Sequence, residues 1–260
     1  MPFTPSHAVV ALPFVRTPLL PTAIAIGAMT PDLPLFLRGT PLSYQATHTN
    51  LLLSGLLALA LLVLWYGLLR PAVRELSPDV LARRLPGEWD AGARATWRQI
   101  ARERPAAVAA LWIAASLLLG VVSHIVWDAF THEGRWGVRL VPALAEQWGP
   151  LAGYTWLQHG SSLLALVILA LYGARWLARR PDAASVLRVL PGWVRVAWWV
   201  SLPLILVAAW GIGLAAYGPL TPSWTAQHLA YRMLPPACAV WGALTIVLCL
   251  AVAVRLRGAR

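Results

Sequence analysis

The run Ser123-His124-Ile125-Val126-Trp127-Asp128-Ala129-Phe130-Thr131-His132-Glu133-Gly134 sets His124, Asp128 and His132 at i, i+4 and i+8. At about 100° per residue these three fall within roughly 80° of one helix face. Two imidazoles and a carboxylate on one face form a nitrogen–oxygen donor set of the kind that zinc and related divalent ions take. The spacing alone also fits a helix emerging into water with His132 solvated. The setting favours chemistry, because an ionisable residue costs about 2.5–3.5 kcal/mol at mid-bilayer and usually lines a cavity or a site.

Further polar residues stand at the ends of apolar segments. His48 precedes one such segment, His124 closes the next and His159 opens the one after. His7 and Asp32 flank a proline-broken stretch, with Asp32 in Gly27-Ala28-Met29-Thr30-Pro31-Asp32-Leu33-Pro34, where a turn can anchor the carboxylate. Singly, His7 reads as surface, Asp32 as a cap and His48 as an interfacial histidine. Together they gather five of the six histidines at one membrane rim, which points to a shared metal site. Arg135 and Arg139, just past the motif, suit an anionic headgroup or plain interfacial anchoring. His228 lies apart and reads as surface.

The elements that must position these groups are membrane spans. The chain is 59% hydrophobic and only 12% charged, about half the charged share of a soluble domain. Five runs are long enough to cross a bilayer, about Leu51–Leu69, Ala106–Val126, Tyr154–Ala174, Val196–Tyr217 and Leu234–Val254. The expected fold is an all-α, polytopic transmembrane helix bundle of about five full spans. A broken or re-entrant N-terminal segment over residues 1–50 precedes them. Within it Thr17–Leu37 is interrupted by Pro18, Pro21, Pro31 and Pro34 and reads as a half-helix, with a sixth span as the alternative.

Arginines orient the spans. Arg70, Arg74, Arg83, Arg84, Arg94, Arg98, Arg102 and Arg104 separate the first two, and Arg175, Arg179, Arg180, Arg188 and Arg195 separate the third and fourth. Arg255, Arg257 and Arg260 end the chain. The positive-inside rule makes these regions cytoplasmic, and it leaves the 127–153 and 218–233 connections outside with the histidine rim. The expected location is the inner (plasma) membrane, multi-pass, with the site on the extracytoplasmic side. No domain boundary shows; the 70–105 loop, which also carries Glu88, Asp90 and Glu103, reads as a solvated helical excursion from a single membrane domain. The net charge of +11 suits anionic lipid headgroups, and no soluble basic domain points to nucleic acid. Cys238 and Cys249 share one helical run, about 16 Å apart, and cannot pair within the chain.

The residues Met1-Pro2-Phe3-Thr4-Pro5-Ser6-His7, Gly27–Pro34, Thr47-His48 and His124–Gly134 resemble an uncharacterised bacterial membrane family, domain of unknown function 4184. That family is similar to the broader group of membrane-bound metal-dependent hydrolases, in the order His, Pro-Asp, Thr-His, His-x-x-x-Asp. The resemblance covers mainly residues 1–165. It implies a metal site of His7, Asp32, His48, His124 and Asp128, with His132 as its extension. The broader group often has a second acid after Pro-Asp and a second His before Thr-His; here Pro34 and the neighbourhood of Gln45 stand instead.

The function expected from these readings is metal-dependent hydrolysis of an amphiphilic substrate, a lipid or a lipid-linked phosphate, at the bilayer surface. The cofactor would be a divalent metal ion, zinc by its donor set. Asp128 and Asp32 would serve catalysis as well as metal binding, His132 or Glu133 would accept a proton from water, and Arg135, Arg139 and His159 would meet the substrate. Two other classes compete. A transporter would show stronger repeat symmetry and polar groups at mid-span, which the last two spans lack. A non-catalytic scaffold would use the metal only to staple helices. Gly-x-Ser-x-Gly and Asp-rich diphosphate motifs are absent, which disfavours serine hydrolysis and prenyl transfer.

Overall fold

The computed structural model describes residues 3–90, 92, 96–98 and 105–258. Arg94, Arg102, Glu103, Arg104 and Arg260 of the charged sequence lie outside the described residues. The protein is all-α, and among the described residues five helices are long and apolar enough to cross a membrane. They are α3 (Leu51–Leu76), α4 (Ala106–Thr131), α6 (Gly153–Ala178), α7 (Gly192–Tyr217) and α8 (Ala226–Leu256). Each contains one of the apolar runs expected from sequence and extends beyond it by up to two turns. Their outward leucines stay uncovered, with Leu52, Leu111 and Leu163 each more than 60% exposed, as helices solvated by hydrocarbon allow.

Before the spans the chain is broken, as the prolines require. An unforeseen 3-10 helix runs over Thr4–Phe14, followed by α1 (Pro21–Met29) and a 3-10 turn at Thr30–Asp32. A nine-residue helix reaches only about 14 Å against a hydrocarbon core of about 30 Å, so α1 is a half-helix and not a sixth span. Pro31 cannot continue the amide ladder, so Thr30 closes α1, its amide reaching the Ile26 and Gly27 carbonyls and its hydroxyl donating to the Ile26 carbonyl at 2.7 Å. A short helix, α2 (Tyr44–Thr49), is capped by Ser43, whose Oγ accepts from the Ala46 amide at 3.1 Å. Asn50 then opens α3 by accepting from the Leu53 amide at 2.9 Å.

Contacts divide the chain into two compact units. The first comprises Met1–Leu33, Leu42–Val63 and Trp97–Arg179. At its centre α1 and α4 meet backbone to backbone. A Cβ on Gly120 would lie 2.1 Å from the Ile24 carbonyl oxygen, and one on Gly27 would lie 2.2 Å from the Leu117 carbonyl oxygen. Only glycine permits this approach, the small-residue packing that membrane helices use where burial of apolar surface supplies little drive. The start of α1 is fixed by the Leu20 amide, which donates to Ser116 Oγ at 3.0 Å. Beyond α4 lie α5 (Trp136–Leu140) and an antiparallel pair, β1 (Gln147–Trp148) and β2 (Leu151–Ala152), turned at Gly149 with φ 74°. This hairpin was not foreseen.

The second unit comprises Pro34–Pro41, Leu64–Thr96 and Arg180–Arg260. Its centre is the buried carboxylate of Glu75, which accepts from the Val189 and Leu190 amides at 3.0 and 3.1 Å and from Arg195 at 3.3 Å. Arg188 donates to the carbonyls of Arg74, Glu75 and Ser77 and to Asp79. Arg74 donates to Asp90 and to the carbonyls of Ala82, Leu85 and Pro86. Arginines that mark orientation in the sequence therefore also close this unit's connections.

The glycine contact makes a sharp test. Gly120→Ala should lower stability by about 1–3 kcal/mol through overpacking, whereas Gly173→Ala, at a position with open space, should be neutral or stabilising by up to about 1 kcal/mol. Unfolding midpoints of the two variants in one detergent check this, and equal midpoints would refute the close approach.

Candidate metal centre

Each polar residue of the centre is fixed by a local feature of its segment. Thr47 donates to the carbonyls of Pro31 and Tyr44, at 2.8 and 3.0 Å, tying α2 to the Pro31-Asp32 turn. Ser54 Oγ donates to the Thr47 carbonyl at 2.6 Å and holds α2 from the other side. The neighbour of Thr47, His48, contacts the Tyr44 carbonyl through Nδ1 at 2.8 Å. His124 Nδ1 lies 2.7 Å from the Ala28 carbonyl, the half-helix that Gly120 brings alongside. A carbonyl only accepts, so in both imidazoles Nδ1 carries a proton, and Nε2 is the atom that can offer a lone pair to a cation.

These lone pairs converge. His124 Nε2 is 3.4 Å from Asp128 Oδ2 and 3.7 Å from Asp32 Oδ1, and His48 Nε2 is 3.6 Å from Asp128 Oδ2. Donor atoms of Asp32, His48, His124 and Asp128 all lie within 4.8 Å of one another, and all four residues are buried. His7, outside this group of four, places Nε2 3.8 Å from Asp128 Oδ1 and stacks on His124 at 4.0 Å between centroids. Most of these separations exceed a hydrogen bond. Ligands at about 2.0–2.2 Å from a tetrahedral ion stand about 3.3–3.6 Å apart, close to the shorter ones.

The polar inventory agrees. Nε2 of His7, His48 and His124 and Oδ1 of Asp128 are buried with no hydrogen-bond partner. Such atoms are costly in an apolar interior unless something binds them. A buried Asp-His-His-Asp group can hold a metal ion, and the orphaned atoms fit one. Other oxygens of the same carboxylates are already occupied. Thr4 donates to Asp32 Oδ2 at 2.6 Å and Tyr44 to Asp128 Oδ2 at 2.9 Å.

Burial governs the protonation of the flanking groups. It pushes the His7 imidazole down to about 3, helped by the neighbouring His124 and opposed by Asp128. It raises the Asp32 carboxyl above its ordinary value, against the pull of His124 and the Thr4 hydroxyl. It raises the Tyr44 phenol, reinforced by Asp128, so that Tyr44 stays a donor. His132 is lowered by burial, with Asp128 opposing. Its Nδ1 lies 3.1 Å from the Asp128 carbonyl and its Nε2 3.2 Å from the side-chain nitrogen of Gln158.

Not every candidate from the sequence is drawn in. Glu133, Arg139 and His159 are exposed. Arg135 is half-buried and sits over the Tyr44 ring, 5.6 Å from its centroid. His228 belongs to the second unit, where it lies 3.1 Å from the Thr225 hydroxyl. Where His159 was expected to face the site, Gln158 does so. Gln158, Ser162 and Ala165 recur at helical spacing on the buried face of α6, a face that packing sets and the sequence does not mark. Tyr44, by contrast, was available, one turn before His48 and directly after the capping Ser43. Thr4 carries no signal, since only folding brings it to Asp32.

Two measurements follow. Tyr44→Phe keeps the ring that stacks on His48 but loses the hydroxyl on Asp128, and metal affinity in a competition titration should fall by about 10–100-fold. In chelated protein, folded His7 stays neutral down to about pH 3, while the unfolded chain takes up its proton near about 6.5. Stability contributed by neutral His7 is therefore complete above that value and is lost as pH falls from it. The unfolding midpoint should drop between pH 7 and 5, less steeply in His7→Phe; equal slopes would contradict the assignment.

No curated protein and no solved structure matches the chain. A family model does, that of Domain of unknown function (DUF4184), over residues 1–254. The match takes in all four residues of the buried group and every spanning helix nearly to its end, and the chain belongs to this family.

Proposed function

We propose that this protein is a membrane-embedded metal-dependent hydrolase acting at the bilayer surface on a lipid or lipid-linked phosphate, with zinc as its ion. The observation that carries this reading is the convergence of buried, unpartnered imidazole nitrogens on Asp128. His48, His124, Asp32 and Asp128 hold the ion, and His7 stands ready as a further donor. Bound there, a divalent ion supplies Lewis acidity toward a phosphoryl or acyl oxygen and lowers the pKa of water toward about 7. The chain's own groups do the rest. Tyr44 and Thr4 orient the two carboxylates, Gln158 orients His132, and His132 or Glu133 receives a proton. Arg135, over the Tyr44 ring, favours an anionic headgroup.

The location of the group supports a surface substrate. Asp128 lies three residues before the end of α4, His48 three before the start of α3, and Gln158 in the second turn of α6. The centre thus belongs at helix ends, where headgroups lie. The Arg-poor connections on that side favour the extracytoplasmic face of the plasma membrane. A second reading is a metal staple without turnover. Its support is that the four donors come from three separate segments, which one ion would fasten together.

Metal analysis and turnover separate the readings. His124→Ala should lower bound metal by more than the about 10–100-fold expected of an outer partner. Asp128→Asn should keep the fold and abolish turnover of mixed phospholipid and isoprenoid-phosphate substrates, because the amide lacks the charge that offsets the cation. Turnover should vanish on chelation, return with zinc or manganese, and fall below about pH 6 as histidine ligands protonate. Full turnover by chelated protein would exclude metal catalysis. Tight metal binding with no turnover of any substrate would leave the staple.

A further inference from the structure

A cleft of about 420 Å³ leads into the centre from the side. Its walls come from the N-terminal 3-10 helix, α4 and α6, and include Val9, Val10, Pro13, Trp127 and Ala165. His7 lines it too, and the same imidazole lies 3.8 Å from Asp128. The volume is that of a small-ligand site. Three serines also face the cleft, but their hydroxyls are engaged within the protein. Ser123 donates to the Gly120 carbonyl, Ser161 to that of Gln158, and Ser6 Oγ lies 3.5 Å from Ser162 Oγ. Trp127 Nε1 donates to Ser161 Oγ and spans the gap between α4 and α6.

The lining therefore asks for an apolar occupant. Depth says which one. Ala165 stands halfway along α6, a membrane-crossing helix, so the cleft reaches hydrocarbon depth at one end and the buried His–Asp group at the other. Water is scarce at that depth and acyl chains are abundant.

We infer that this cleft seats one hydrocarbon chain of a membrane lipid whose headgroup lies at the His7–Asp128 end. The chain seat stands on the cleft alone; the headgroup's fate at the centre rests on the hydrolase reading. A chain held this way lies along the cleft toward His7, so selection acts on the hydrocarbon portion of the lipid as well as on its headgroup.

The probe is a phosphatidylglycerol with a diazirine in one acyl chain, added to the full-length protein in phosphatidylcholine nanodiscs and photolysed. Adducts are located by peptide mass spectrometry. They should concentrate on Val9, Val10 and Ala165, at least tenfold over Leu163 and Leu171, which are exposed on the same helix α6. Ala165→Phe and, from the opposite wall, Val10→Phe fill the cleft. Each should remove the adducts on the facing wall while bound metal stays unchanged. Cleft adducts no denser than those on Leu163 and Leu171, or adducts that persist in both filled variants, would overturn the seat. Cleft adducts in a protein without metal-dependent turnover would support the seat and sink only the hydrolase. Turnover without cleft adducts would do the reverse.

Discussion

The crossing of α1 and α4 at Gly27 and Gly120 is the contact on which the centre depends. Two backbones in touch bring the Ala28 carbonyl to His124 Nδ1, and that bond sets both the tautomer and the aim of the ring. Directly after Ala28 the half-helix ends at Met29, and the 3-10 turn Thr30–Asp32 that follows presents Asp32 to the same imidazole. A methyl group on either glycine would separate the segments before any ligand chemistry could begin. The Thr47 hydroxyl then binds the Pro31 carbonyl, so the position of His48 is inherited from the same contact.

Electrostatics explains why so many polar groups tolerate this burial. Each carboxylate has one oxygen bound by a hydroxyl, Thr4 on Asp32 and Tyr44 on Asp128, which reduces the cost of desolvation without neutralising the charge. Each ligand-ready imidazole of His48 and His124 gives its proton to a backbone carbonyl. Among the described residues of the first unit, the buried side-chain atoms left without a hydrogen-bond partner are Asp128 Oδ1 and three Nε2 atoms, gathered at one point. Such a buried group of two acids and two imidazoles can hold a metal ion, whose charge would offset the carboxylates and meet the unpartnered nitrogens.

The second unit solves a different problem with similar means. Its connections would leave carbonyls unpaired, and Arg74 and Arg188 fork into them with several donors each. Glu75 is buried against two amides and Arg195, so its charge is fully engaged. None of its donor atoms joins the metal-competent group, which belongs wholly to the first unit. Arg188 Nε and Trp224 Nε1 of the second unit also lack a hydrogen-bond partner, but they are N–H donors that a cation cannot use, whereas the unpartnered atoms of the first unit are imidazole Nε2 atoms and a carboxylate oxygen.

The sequence by itself determined the membrane class and the five spans, because long apolar runs have no other stable solvent and most of their ends are marked by arginine. It also determined which ionisable residues were out of place, and the i, i+4 spacing put His124 and Asp128 on one face. Topology and resemblance already pointed Asp32 and His48 to the same site, but only the tertiary structure decided how they reach it, since three segments meet there through glycine contact and threonine bonds that no local pattern encodes. It exchanged His159 for Gln158, because the buried face of α6 is set by what packs on it and not by which side chain has the richer chemistry. It brought Thr4 to Asp32 across twenty-eight positions, a pairing that chain order cannot express, because a 3-10 helix and a half-helix must first fold against one another.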